Sequence, residues 1–166
     1  NVAGPANVAA SDGTFTDKVR VTWSAVSGAT HYRVARAASA GGTKTELGTW
    51  QSGTTLDDVP PVYGWTYYYY VRAAIDATGS TSSVYSAEES GYRALLAPAG
   101  VAASDGAHTT SVALAWNAVG GASHYRVARA LTPAGAKIEL GLWQTDRTFT
   151  DTLAIPGTTY YYFVQA

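Results

Sequence analysis

Apolar and polar residues alternate along much of this chain with a period of two, the spacing of a strand with one buried face. Residues 18–24 show it cleanly: Val19, Val21 and Trp23 share one side, and Lys18, Arg20 and Thr22 the other. Residues 66–73 alternate in the same way, with Tyr67, Tyr69, Val71 and Ala73 on one side and Tyr68, Tyr70 and Arg72 on the other. The pattern predicts further strands over residues 5–11, 31–37, 43–51, 54–58 and 83–93. They are separated by turn signals such as Ser11-Asp12-Gly13, Ser27-Gly28 and Pro60-Pro61. About seven short strands with turns every 8–12 residues predict a β-sandwich.

The unit is written twice. Trp23 and Trp116 stand at an offset of 93 (116 minus 23), and the same offset joins Pro5 to Pro98, His31 to His124, Trp50 to Trp143, Asp58 to Asp151 and Tyr67 to Tyr160. No gap is needed, and more than half of the paired positions are identical. A repeat of this length is a whole small domain and not a solenoid unit of about 20–50 residues. The expected domains are therefore 1–93 and 94–166. The second copy stops at the position matching Ala73, in its sixth strand, so it is expected to lack the last strand that 83–93 supplies to the first. Two accounts of that stop are weighed: a cut chain, or a neighbour that supplies the strand in an assembly. The short apolar link Ala94-Leu95-Leu96-Ala97 suggests a restrained joint.

Composition narrows the function classes. The 166 residues contain 12 Tyr, 5 Trp and 17 Gly, but no Cys and no Met. Disulfides and thiolate metal sites are thereby excluded, and the missing initiator predicts a mature product or fragment. Charged residues are 14% of the chain and the net charge is −1, which gives no electrostatic reason to expect a nucleic-acid partner. No apolar run reaches the roughly 20 residues that a membrane-spanning helix needs.

Several of these motifs together resemble fibronectin type III domains, especially those of bacterial extracellular proteins. They are Trp23 and Trp116 in the second strand, Tyr32-Arg33-Val34 and Tyr125-Arg126-Val127 in the third, and Pro156-Gly157-Thr158-Thr159-Tyr160 before the sixth. The first copy departs from the last motif, with Tyr63-Gly64-Trp65-Thr66-Tyr67. The resemblance implies an all-β chain of two tandem immunoglobulin-like sandwiches. It also implies that Trp23, Trp116, Tyr32 and Tyr125 are core residues, and that Tyr67 and Tyr160 are corner residues whose hydroxyls bond backbone near the preceding turn. An Arg-Gly-Asp loop is missing, so integrin-type adhesion is not implied.

Candidate chemistry is sparse. His31 and His124 recur, but no carboxylate, Ser or second His recurs at a spacing that builds a triad, so both are read as outward surface residues. Asp57 and Asp58 suggest a cation site only weakly, because the second copy keeps Asp151 alone; turn capping is the preferred reading. No catalytic, metal-binding or cofactor-binding residue is assigned. The residues left for recognition are aromatic. Trp50, Trp143 and Trp65, with the outward Tyr68 and Tyr70 and their counterparts Tyr161 and Phe163, form the candidate contact surface. Trp50 and Trp143 have a second reading, as covers of the open side of each sandwich.

The expected function is a non-catalytic spacer, structural or adhesive pair in a larger secreted or surface protein, outside the cell. Its partners would be neighbouring domains or subunits, in a filament or repeat assembly. The alternative is a carbohydrate-binding accessory module of a secreted polysaccharide hydrolase.

Overall fold

The computed structural model describes residues 2–60 and 62–166. They form two units, Asn1–Ala94 and Leu95–Ala166, made of strands and connecting turns. Ala94 falls in the first unit because its N–H donates to the carbonyl of Phe15 at 2.8 Å.

The first unit contains β1 (Ala9–Ala10), β2 (Val19–Thr22), β3 (His31–Ala37), β4 (Thr45–Gln51), β5 (Thr55–Asp58), β6 (Tyr67–Ala74) and β7 (Glu89–Gly91). One antiparallel sheet has the order β1-β2-β5 and the other β4-β3-β6-β7. The second unit repeats the plan with β8 (Ala102–Ala103), β9 (Val112–Ala115), β10 (Tyr125–Ala130), β11 (Ile138–Gln144), β12 (Thr148–Asp151) and β13 (Tyr161–Gln165). Its sheets are β12-β9-β8 and β11-β10-β13. Among the described residues, β13 pairs only with β10, whereas its counterpart β6 pairs on both sides.

Alternation fixes the buried faces as the sequence predicts. Val19, Val21 and Trp23 from one sheet meet Tyr32, Val34, Tyr67, Tyr69 and Val71 from the other. In the second unit Leu114, Trp116, Val119, Tyr125, Val127 and Leu140 form the core. Each core is keyed by a tryptophan–tyrosine pair. Trp23 lies 5.7 Å from Tyr32, and Trp116 lies 5.7 Å from Tyr125, in tilted or edge-on arrangements that aromatic quadrupoles favour. The buried phenols are satisfied by backbone. The N–H of Val26 donates to Tyr32 Oη at 2.8 Å, and that of Val119 to Tyr125 Oη at 3.0 Å.

Two predicted strands are shorter than the pattern implies. The first, expected over 5–11, is reduced to Ala9–Ala10, because Asn7 takes a left-handed conformation (φ 51°) that breaks the extended run. Its amide bonds Ser24 Oγ at 3.0 Å. The last, expected over 83–93, is regular only at Glu89–Gly91. Upstream, serine hydroxyls take ladder positions: Ala73 N–H donates to Ser83 Oγ and Val71 N–H to Ser86 Oγ, each at 3.0 Å. The serine N–H groups complete the contact by donating to the Ala73 and Val71 carbonyls at 2.8 Å.

Both sheets also carry an irregularity that alternation alone does not reveal. Tyr32 pairs with Gln51, but Val34 pairs with Leu47, so β4 holds two more residues than β3 over that interval. The same bulge recurs between Tyr125 and Val127. Gly48 (φ 58°) and Gly141 (φ 70°) supply the left-handed backbone it requires.

Candidate contact surface

The outer face of the first unit's larger sheet is covered, not open. The prediction that Tyr70 is an outward contact residue is corrected: it is 5% exposed, and its outward neighbours Ala35 and Ala37 are 0% and 2% exposed. The cover is the chain from Ser83 to Glu88. Tyr85 packs edge-on against Tyr70 with ring centroids 6.1 Å apart, and the Tyr70 hydroxyl donates to Glu88. Glu88 also accepts the N–H of Gly41 at 2.7 Å. The amine of Lys44 sits 4.0 Å from the Tyr70 ring centre. Burial, then the bond to Glu88, raises the Tyr70 pKa, while that same bond and the Gly41 N–H hold Glu88 below the usual range.

An ion-pair layer lies beside this stack. Glu46 pairs with Arg33 at 2.7 Å and with Arg72, and it accepts the Tyr85 hydroxyl at 3.2 Å. Arg72 lies 5.2 Å from the Trp50 ring and 5.3 Å from that of Tyr85. Trp50 is half-buried, with its ring also against the turn at Gly79: a Cβ there would lie 2.1 Å from the indole. Trp50 is therefore a packed cover in this unit. Tyr68 is half-buried, and Trp65 is 56% exposed. The Trp65 indole N–H donates to the carbonyl of Ala38 at 3.4 Å. Trp65, Tyr68 and the Ala38–Ala40 turn line an open groove of about 390 Å³.

The second unit presents the same residue types with less over them. Trp143 is 45% exposed and Tyr161 is 40% exposed. Phe163 is half-buried under Lys137, whose amine is 4.2 Å from the ring centre. Arg126 pairs with Glu139 at 2.5 Å. Leu142, on the bulge, is 85% exposed.

The recurring polar residues do structural work inside each sandwich. Asp58 accepts both a bidentate bond from Arg36 Nη1 (2.8 and 3.0 Å) and the Tyr69 hydroxyl (2.9 Å). In the second unit Asp151 takes Arg129 at 2.6 Å and Tyr162 at 2.9 Å. Asp151 also accepts the N–H of Leu153, so the predicted turn cap is present there alongside an ion pair the sequence reading missed. The signal available was the recurrence of Arg36/Arg129 and Tyr69/Tyr162 together with the aspartates. Burial, then the bond to Asp58, raises the Tyr69 pKa. The same causes push Tyr162 up to about 12.

Asp57 lies apart from this buried triad. It bridges Arg20 and Lys18 at 2.7 and 2.9 Å, and these bonds hold its carboxyl well below the usual range. Its role is pairing in the sheet and not cation binding. His31 and His124 sit beside hydroxyls of Thr30 and Ser123 at 2.9 and 3.0 Å. Among the described residues, no group of three His, Asp or Glu could hold a metal ion. Among the described residues, no helix is long and apolar enough to cross a membrane.

Of the two expected corner tyrosines, Tyr160 is half-buried and accepts the N–H of Ile155 at 3.5 Å, the upper limit of a bond. Tyr67 is buried and held through its ring, with the Arg36 guanidinium 5.0 Å from the ring centre.

Comparison with known proteins bears on the architecture. No family model matches the chain. A two-domain fibronectin type III segment of chicken tenascin superposes with a TM-score of 0.64 over 96% of this chain and 89% of its own, at 18% identity. A fibronectin type III-like protein from Clostridium thermocellum covers 57% of this chain and 96% of its own length, with 28% identity and a TM-score of 0.50. The fold is thus all-β, two fibronectin type III-like sandwiches in tandem.

Proposed function

We propose that the chain is a non-catalytic pair of modules, serving as a spacer, structural or adhesive segment of a larger bacterial protein that is secreted or displayed at the cell surface. Its partners are neighbouring domains or subunits. The observation that carries this reading is the use made of the recurring polar residues. Arg36, Asp58 and Tyr69, like Arg129, Asp151 and Tyr162, are joined to one another around a buried carboxylate that links the two sheets, where they hold the fold. Tandem sandwiches of this kind transmit position and load between the parts they join, and the fold by itself assigns no chemistry. The test uses antibodies against the chain on intact and lysed source cells. Label on intact cells or in the medium is expected, and signal confined to the lysate would overturn the location and the role with it.

A second reading has one specific observation in its favour. The open groove beside Trp65 presents a largely exposed indole next to Ser39 and Tyr68, and an exposed indole can stack on a sugar ring. Retention on insoluble polysaccharides that is lost in Trp65→Ala would support a carbohydrate-binding module. No retention, with unchanged tryptophan emission, would remove it.

A further inference from the structure

We propose that the groove beside Trp65 is held in shape by the chain leaving the first unit, so that displacement of Arg93 and Ala94 loosens it. The inference rests on the second reading above, in which this groove takes a sugar ring, and adds to it a control over the site.

The exit chain is seated on both sides. On one side Tyr92 donates its N–H to the Ser11 carbonyl at 3.1 Å, its carbonyl accepts the N–H of Gly13 at 2.9 Å, and Ala94 donates to the Phe15 carbonyl at 2.8 Å. On the other side the Arg93 carbonyl accepts the N–H of Gly64 at 2.9 Å. The Arg93 side chain reaches the same loop. It is 5% exposed, and its guanidinium lies 3.9 Å over the centre of the Tyr63 ring. Its Nε has no hydrogen-bond partner among the described residues, which puts the weight of the contact on the ring.

Tyr63 and Gly64 lead directly into Trp65. Gly64 itself lines the groove with Trp65, Thr66 and Tyr68, and the rest of the lining is Ala38, Ser39 and Ala40. Beyond the pairing of Ala37 with Tyr68, these two stretches meet through the Trp65 indole N–H, which donates to the Ala38 carbonyl at 3.4 Å. A bond of that length does not fix a loop by itself. The position of Gly64 and Trp65, and with it the width of the groove, is therefore set by the hold of Arg93 on Tyr63 and Gly64.

The repeat supplies an internal comparison. The turn glycine is kept, with φ 66° at Gly64 and 78° at Gly157. The residues on either side of it, Tyr63 and Trp65, are replaced together by Pro156 and Thr158. The ring that takes the arginine and the indole that builds the groove thus occur as a pair on a common turn.

The ends of a domain are among its first parts to open. When Arg93 and Ala94 lift from the 11–15 chain, the Gly64 N–H and the Tyr63 ring lose their partners in the same event, and Trp65 loses its support. Seated and lifted are two arrangements of one element, and only the seated one completes the groove. Tension on the chain beyond Ala94 favours the lifted one.

The experiment uses the full 166-residue chain labelled with 5-fluorotryptophan, with the Trp65 fluorine signal identified by its loss in Trp65→Phe. Arg93→Ala and Tyr63→Ala should each move or broaden the Trp65 signal and speed amide exchange at Gly64 roughly tenfold, while the Trp23 and Trp116 signals stay in place. Tyr63→Phe keeps the ring face and should match the unaltered chain. In that unaltered chain, Gly64 and Ala94 should share one opening, with amide protection equal to within about threefold. This last measurement needs no substitution, so it decides the matter even where a variant fails to fold. Unequal protection of the two amides, an unmoved Trp65 signal in both alanine variants, or a shift of all five tryptophan signals together would overturn the proposal. None of these readouts involves a polysaccharide. Absence of sugar retention would leave the coupling standing, and absence of coupling would leave retention standing.

Discussion

Asp58 accepts the hydroxyl of Tyr69 at 2.9 Å, and Asp151 accepts that of Tyr162 at the same distance. Each aspartate also faces an arginine, so one carboxylate answers two donors in a site that is 8% exposed in one unit and 2% in the other. Removing the charge leaves a partly buried arginine uncompensated, whereas removing the phenol leaves the ion pair intact. Asp58→Asn and Asp151→Asn should therefore each cost about 3 kcal/mol, and Tyr69→Phe about 1 kcal/mol. Chemical denaturation of the single variants checks the order, and a Tyr69 effect larger than the Asp58 effect would refute it.

Alkaline pH should weaken the second unit through Tyr162. Its folded pKa of about 12 lies above the ordinary value of 10.0, owing first to burial and then to the bond to Asp151. The folded state prefers the neutral phenol, so this contribution is complete below pH 10 and is lost as pH rises through about 12. Calorimetric melting in that window should fall less steeply for Tyr162→Phe than for the unaltered chain.

Trp50 and Trp143 occupy matching positions but should respond differently to truncation. Trp50→Ala removes a ring that packs against Arg72 and the Gly79 turn, and a loss of about 2 kcal/mol from the first unit is expected for a half-buried aromatic. Trp143→Ala, at an exposed site, should cost about 1 kcal/mol or less. Equal losses measured by denaturation would contradict the assignment of Trp50 as a cover.

Gly79 should not tolerate a side chain. Its φ is 69°, and a Cβ would overlap the Trp50 indole. Gly79→Ala is expected to cost about 1–2 kcal/mol from backbone strain together with displacement of the ring. It should also red-shift tryptophan emission, and the shift should vanish in a Trp50→Phe background.

The two-fold repeat, the buried faces and the core pairs Trp23–Tyr32 and Trp116–Tyr125 were legible from alternation and recurrence, because a period of two states which side chains share a face. It does not state what lies over the other face. Tyr70 alternates outward, yet it is buried beneath Tyr85 and Glu88, which come from a stretch whose hydroxyl-to-backbone bonds leave no regular strand signal. The first strand was overextended for a related reason: one asparagine in a left-handed conformation ends it, and side-chain patterning carries no record of φ. The Arg–Asp–Tyr triads were visible as three recurring residues, but they are spread over three strands, and only the observed register brings them together.

The bulges at Gly48 and Gly141 bear on how many strands each larger sheet can take on. In the second unit β11 and β13 are the two outer strands, but two extra residues at Gly141-Leu142-Trp143 interrupt the even spacing of hydrogen-bonding groups along β11. In the first unit the outer strand β4 is interrupted in the same way at Gly48. Each bulge therefore divides its outer strand into short runs and guards that edge against long ladder pairing with another sheet.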